Sequence, residues 1–596
     1  MAHQRRIVSA FVTAAGLAVA VAAMYLLPES SAPHRPVGTR PDPPPNDRFP
    51  DVTFVDVTAS AGIDFRHTNG AAGEFLMPEM LGSGCAFFDY DNDGLPDILL
   101  VNSCHWSDVR GSKDGPTMAL YHNDGRGHFE NVTGPAGLRV VLYGMGVALG
   151  DYDSDGYRDL YIAALGKNHL FHNQGDGTFT DVTEAAGAGG RPADWSTSCG
   201  WFDYDNDGDL DLFVCTYIKW SRDLGLSLVH KMNGVRSYLP PYRFDGSHCV
   251  LYRNDGAGTL TDVSRKAGIR VIGAISGRPA SKALGVCFDD VDSDGWMDVI
   301  VANDQVAQFL LHNERDGTFE NIARQSGLLF DRNATQIAGM GVDVAVQPDG
   351  TRLALAIGNI ARFSTPFFVT DRDRVEFLDV SPSAGIAQAS RPVTTFGLVF
   401  VDYDLDGRLD LLQANGSVNT PGGSAAEGIT YRQPNQLFRR TDDPRVWFSL
   451  VPPTKTGSAL TGANLGRGAI YADIDNDGDL DLLVSRNNGP PLLLRNDQHL
   501  GHHWLRLKLI DTGANRDAIG ARIEVRLGNT RRYRWVRPTR GYLSQVELPV
   551  TVGLGSRNHV DAVRVVWPDG SRQIERNVPV DALTRITKRI AAHPAR

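Results

Sequence analysis

Six stretches of nine residues place aspartate at their first, third, fifth and ninth positions and glycine at the sixth. They are Asp89, Asp91, Asp93 and Asp97; Asp151, Asp153, Asp155 and Asp159; Asp203, Asp205, Asp207 and Asp211; Asp290, Asp292, Asp294 and Asp298; Asp402, Asp404, Asp406 and Asp410; and Asp473, Asp475, Asp477 and Asp481. Two carboxylates about 4 Å apart repel by roughly 4 kcal/mol at an effective dielectric near 20, so such a turn demands a cation. Hard oxygen donors at alternate positions, with glycine at the sixth, match the first half of a calcium loop. Calcium at about six structural sites is therefore the expected cofactor. Magnesium fits less well because it keeps its water and takes fewer protein ligands. The seventh position is Leu95, Tyr157, Asp209, Trp296, Arg408 or Asp479; these side chains share no donor, so the backbone carbonyl is the expected ligand there. An EF-hand would need flanking helices and glutamate at position 12, which is instead Leu100, Ile162, Val214, Val301, Gln413 or Val484.

Each acidic run leads into an apolar, β-prone segment, as in Phe202 to Val214. A second glycine-rich turn follows, at Asn173 to Thr183 and in variants beginning at Asn123, Asn254 and Asn313. Glycine supplies the positive φ that tight hairpins need, so each unit reads as two hairpins. Four short antiparallel strands repeated radially make a β-propeller. The long gap between Asp290 and Asp402 contains a degraded copy, Gly341-Val342-Asp343 to Gln347-Pro348-Asp349-Gly350, which keeps the glycine and loses the ligand pattern. Seven units result. The last, ending at Leu492 to Asp497, lacks its outer strand, and a matching strand stands at the other end of the chain as Thr53-Phe54-Val55-Asp56-Val57-Thr58. The expected fold is all-β: a seven-bladed propeller over residues 51–498, closed by that N-terminal strand, then a small β-sandwich or barrel over residues 499–590.

The chain has 596 residues and a formal charge of −11, unevenly spread: from Leu500 onward there are 18 basic and 8 acidic residues. An acidic module therefore precedes a basic one, and a nucleic-acid partner is not expected for an exported chain of this charge. Residues 1–28 contain Arg5 and Arg6 followed by the uncharged stretch Ile7 to Leu27, long enough to cross a bilayer and equally suited to a cleaved secretory signal. Either way the remainder is exported, to periplasm, cell surface or medium, beyond a proline-rich linker at 29–50. The six cysteines, Cys85, Cys104, Cys199, Cys215, Cys249 and Cys287, show no metal or haem spacing; a disulfide between Cys215 and Cys249 is compatible with export. Asn131, Asn333 and Asn415 begin sequons, relevant only in a eukaryotic secretory pathway.

At these repeats the chain resembles the FG-GAP/VCBS repeats of integrin α-subunit propellers, from about Val52 to Asn496. Gly513 to Arg522, Arg540-Gly541-Tyr542-Leu543-Ser544-Gln545, Gly553-Leu554-Gly555 and Val565 to Gly570 resemble the ASPIC/UnbV domain. Together they are similar to the cartilage acidic protein family and its bacterial relatives. The resemblance implies an extracytoplasmic, calcium-binding β protein without an assigned reaction.

Three insertions, Ser103 to Met118, Thr216 to His248 and Gly416 to Thr430, carry aromatic and basic residues including His105, Trp106, Tyr217, Lys219, Trp220, Tyr238, Tyr242 and Arg243. They could form a rim that binds protein or glycan, or pack on their own rings. The tail arginines could grip an anionic partner or form a solvated strand face. The first functional expectation is a binding or adhesion module with no catalytic residues. A polysaccharide lyase or hydrolase is the alternative, although the chain has no G-x-S-x-G or H-E-x-x-H motif. A purely structural envelope component is the third.

Overall fold

A computed structural model describes residues 49–589, apart from 111–113, 233 and 444–445. The apolar N-terminal stretch and residues 29–48 of its linker lie outside the described residues, and no described helix is long and apolar enough to cross a membrane.

Each acidic run connects the first and second strands of a sheet whose four ring strands run antiparallel, the first of these sheets being extended by two further strands. The second sheet is representative, with strands Gly144–Gly150, Asp159–Ala164, His169–Asn173 and Phe179–Asp181 in that spatial order. The first two strands are buried along their whole length. Their apolar residues serve two faces, so Val147, Leu149, Leu160 and Ile162 pack toward the preceding sheet while Ala148, Tyr161 and Ala163 pack toward the next. The described residues contain seven such sheets. Their first strands touch in a closed cycle, Cys85–Phe88 meeting Gly144–Gly150 on one side and Gly466–Ala472 on the other. This is a propeller-type ring. The degraded copy forms its own sheet, with first strand Val342–Val346. In the last sheet Phe54–Asp56 pairs antiparallel with Leu494 to Asn496, in the register Phe54↔Asn496 and Asp56↔Leu494. Two segments far apart in sequence thus share one sheet, which leaves the ring without an open edge.

Beyond the ring, the strands His503–Ile510, Val550–Gly555 and Leu583–Thr587 form one sheet, and Arg522–Leu527, Thr530–Trp535, Ala562–Val566 and Arg572–Glu575 form another. They enclose a separate core of Leu505, Leu507, Ile523, Val525, Val552, Val563, Val565 and Trp567. The alternating burial of Arg522–Leu527 is what period-two patterning demands of a half-covered strand.

One segment of this module leaves it to enter the ring. Thr539–Arg540 and Ser544–Gln545 join the first sheet, Gln545 pairing in parallel with Ala86. Gly541 exchanges hydrogen bonds of 3.0 Å with Val342, and the Leu543 carbonyl accepts from Val147. The segment thereby touches the first strands of three different sheets. Glycine makes the close approach possible: a Cβ at Gly84 would lie 1.8 Å from the Leu543 carbonyl oxygen.

Aromatic residues of the insertions pack inward, with Trp106, Tyr217 and Trp220 joining Tyr143, Trp195 and Tyr542 in one buried cluster. Trp106 stacks on Tyr143 at 4.7 Å. Packing on their own rings, not an open aromatic rim, is what these residues do, although Tyr242 remains exposed. All six cysteines are buried free thiols. The Cys215–Cys249 disulfide is not formed: the pairing of Val214 with Val250 brings the two thiols side by side, where Cys249 Sγ contacts Ser281 Oγ at 3.4 Å.

Candidate metal centres

The acidic loops share one backbone course. Position 4 has positive φ in all six, at Asn92, Ser154, Asn206, Ser293, Leu405 and Asn476, as does the glycine two residues later. These left-handed residues curl the chain so that its carboxylates converge. The fifth-position aspartate accepts the N–H of the seventh residue, Asp93 from Leu95 at 2.8 Å, Asp155 from Tyr157 at 2.8 Å, Asp207 from Asp209 at 3.0 Å and Asp294 from Trp296 at 2.9 Å. Asp406 and Asp477 do the same for Arg408 and Asp479, both at 2.9 Å. The third-position residues Asp91, Asp153, Asp292 and Asp404 accept the N–H two residues ahead.

The ninth aspartate begins the second strand and anchors the turn. Asp211 accepts Tyr204 N–H at 3.0 Å through one oxygen and Asn254 N–H at 2.9 Å through the other. Asp97, Asp159, Asp298 and Asp481 repeat the arrangement with Asn123, Asn173, Asn313 and Asn496. The asparagine side chains then reach the neighbouring sheet. Asn173 donates to the Tyr90 carbonyl at 2.8 Å, Asn254 to Tyr152 at 2.6 Å, Asn313 to Tyr204 at 2.7 Å, Asn496 to Tyr403 at 2.9 Å and Asn123 to Ile474 at 2.9 Å. Each accepting residue is the second of a neighbouring acidic loop. These asparagines were visible in sequence as the start of the second turn; their role was not, because the partner lies one unit away.

A calcium ion needs oxygens held ready and otherwise unused, and the first aspartate supplies one. Its Oδ2 accepts the glycine N–H, at 3.2 Å for Asp89, 3.0 Å for Asp151, 3.1 Å for Asp203, 3.0 Å for Asp290 and 3.2 Å for Asp473. Its Oδ1 is buried without any hydrogen-bond partner in these five loops. A buried, unpartnered carboxylate oxygen is costly, and the cost is relieved by protonation or by a cation. Burial accordingly pushes the carboxyls of Asp151 and Asp203 up to about 7 and those of Asp290 and Asp473 up to about 6. Asp205 and Asp475 each add a further buried unpartnered oxygen. This donor set fits a hard divalent ion held by Asp89, Asp91, Asp93 and Asp97 and their counterparts, which would neutralise the turn and cross-link its ends. The degraded copy differs: Asp343 forms a buried bidentate pair with Arg540 at 2.9 and 2.6 Å.

Histidines that sequence reasoning missed also face the loops. His172 Nδ1 lies 3.2 Å from Asp153 and 3.1 Å from Asp159, and hydrogen bonding to Asp159 raises its pKa to about 8. His122 lies 3.5 Å from Asp91 and 3.3 Å from Asp97, and His312 lies 3.1 Å from Asp292. The residue immediately before each asparagine is their common sequence position.

The basic module sits on the same face. Lys508 lies 3.4 Å from Asp89, Arg516 3.8 Å from Asp151, Arg522 3.2 Å from Asp290, Arg534 3.1 Å from Asp402 and Arg506 3.6 Å from Asp473. Arg506 is also paired with the buried Glu547 at 2.5 Å, and Arg158 of the ring reaches Asp517 at 2.5 Å. Most of these cations are turned onto carboxylates of the ring, while Arg516 is half exposed. Arg526 and Arg531 are also exposed and pair with Glu524.

A repeated acidic loop on a propeller-type ring, capped by a basic β module, is the arrangement over which two family models match parts of the chain. The FG-GAP-like repeat model matches residues 89–162 and 151–214, and the ASPIC and UnbV model matches residues 511–593. The chain is similar to cartilage acidic protein 1 of Mus musculus, 25% identical over 544 residues, covering 85% of this chain and 74% of that protein. Among solved structures it is similar to an Agrocybe aegerita lectin described as recognising non-reducing terminal N-acetylglucosamine, 14% identical with a TM-score of 0.35, covering 70% of this chain and 94% of that one. It is also similar to the Dos1 propeller, 9% identical with a TM-score of 0.34, covering 69% and 92%.

Proposed function

We propose that this protein is an exported, calcium-stabilised binding or adhesion module whose metal ions are structural. The observation that carries the metal reading is the buried, unpartnered Oδ1 on the first aspartate of five loops. The ions and the asparagine bridges would hold neighbouring sheets in register, leaving the opposite insertions as the partner-facing part. The segment from Lys219 to Arg243 supports a binding role. It exposes Leu224, Leu226, Val229, Val235 and Tyr242, and its five cations, Lys219, Arg222, Lys231, Arg236 and Arg243, outnumber its single acid, Asp223. Mixed apolar and basic exposure of this kind suits an acidic glycan or protein partner.

The competing lyase or hydrolase reading needs an acid or base aimed at substrate. The buried Ser83–His67 contact of 2.9 Å does not provide one: His67 Nδ1 accepts from Asn488 N–H, so Nε2 donates to Ser83 Oγ, which donates onward to the Gly144 carbonyl at 2.7 Å. The test is a screen of immobilised glycans and envelope proteins with the full chain, in calcium and in chelator, alongside Lys231→Glu/Arg236→Glu. Capture that requires calcium and is weakened at least tenfold by the double variant is expected. Turnover of a polysaccharide, or capture insensitive to both changes, would contradict the proposal.

A further inference from the structure

We infer that the loop from Asp402 to Asp410 is closed by the protein's own guanidinium groups and takes no divalent ion, so that the ring loads five acidic loops, not six. The inference rests on the calcium reading above and concerns which loops it covers. Four features set this loop apart. Arg439, on the third strand of the same sheet, places Nε 2.7 Å from Asp404 Oδ2 and Nη2 2.8 Å from Asp406 Oδ2, bridging the third and fifth positions as an ion would. Arg408, at the loop's seventh position, adds a contact of 2.5 Å to Asp406. Asp402 has both oxygens engaged: Oδ1 accepts Gly407 N–H at 3.3 Å, and Oδ2 accepts from Arg534 and from Gly553 N–H, both at 3.1 Å. In the five other loops one oxygen of the first aspartate has no partner. Finally, Arg440 stands where the other five sheets carry asparagine, and reaches Gln347 at 3.2 Å instead of a neighbouring loop carbonyl.

Charge makes the same distinction. Three guanidinium groups, Arg408, Arg439 and Arg534, pair with three of the four carboxylates of this loop, Asp406, Asp404 and Asp402, while Asp410 keeps one buried oxygen without a partner. The side chain of Asp404 is fully buried, whereas its counterparts Asp91, Asp153 and Asp292 are about a quarter exposed, at 27, 25 and 26%. A divalent ion would have to expel Arg439 and then sit among like charges. An arginine alone does not close a loop: Arg495 occupies the equivalent strand position beside Asp473 to Asp481 and turns away to Asp497 at 2.6 Å. The combination with Arg408 and Arg534 does so, and because Arg534 belongs to the C-terminal module, this contact ties the module to the ring without metal.

The experiment is native mass spectrometry of the full chain equilibrated with calcium alone and then buffer-exchanged, for wild type, Asp404→Asn and Asp475→Asn. Five ions are expected for wild type, five for Asp404→Asn and four for Asp475→Asn. A wild-type count between one and five that Asp404→Asn leaves unchanged supports the inference. Six ions, or loss of one ion in Asp404→Asn, overturns it while leaving the calcium reading intact. A chain that binds no ion overturns the calcium reading and this inference together.

Discussion

The first aspartate of an acidic loop divides its oxygens between two tasks, Oδ2 holding the turn and, at Asp89, Asp290 and Asp473, facing a cation of the C-terminal module, while Oδ1 stays unpaired. The type and spacing of these residues were legible because the constraint is local: nine consecutive residues must converge on one point. What closes the Asp402 loop was not legible, since Arg439 and Arg534 come from other strands and only the folded register brings them in. A different residue-scale consequence concerns acid. Burial and the nearby Arg467 charge lower the His67 pKa from 6.5 to about 3. Below pH 6.5 the unfolded chain takes up a proton that the folded chain refuses, so this site's contribution to stability falls as pH drops from 6.5 toward 3. At pH 5 the loss amounts to about 2 kcal/mol. Relative to wild type, His67→Gln should therefore gain about that much between pH 7.5 and pH 5 in urea unfolding; a difference independent of pH would refute the assignment.

At the scale of the element, the hairpin repeat and the closing strand were readable from self-similarity, because Thr53 to Thr58 copies what the last unit lacks and pairs with Leu494 to Asn496. The insertion of Arg540 to Gln545 into the ring was not, for its seat is assembled from strands of several sheets. Gly84 is part of that seat, so Gly84→Ala drives a methyl group into the Leu543 carbonyl and should cost about 3 kcal/mol or more. Lower thermal stability together with faster proteolytic release of the C-terminal module is the expected signature. Unchanged values for both would mean that the segment is not seated in this way. The asparagine bridges make a complementary prediction. Asn254→Ala strands the carbonyls of Tyr152 and Leu210 and the Gly256 N–H, at a cost of about 2 kcal/mol. Since Asn254 contributes no metal ligand, the loss should be equal in calcium and in chelator, measured by urea midpoint.

For the whole molecule, uneven charge was the one global property the sequence displayed, and the structure gives it a geometric meaning: the basic module covers the acidic-loop face. Six of its arginines and lysines approach first-position aspartates or Asp343. Calcium in the loops, as proposed, would neutralise the remaining charge. If free calcium is ten times the dissociation constant, linkage contributes about 1.4 kcal/mol per site, or roughly 7 kcal/mol over five sites. The most direct measurement is therefore the thermal melting of the full chain in millimolar calcium and after exhaustive chelation at constant ionic strength. The account predicts a melting temperature lower by on the order of 10 °C in chelator and restored by calcium. Identical melting curves in the two conditions would contradict it.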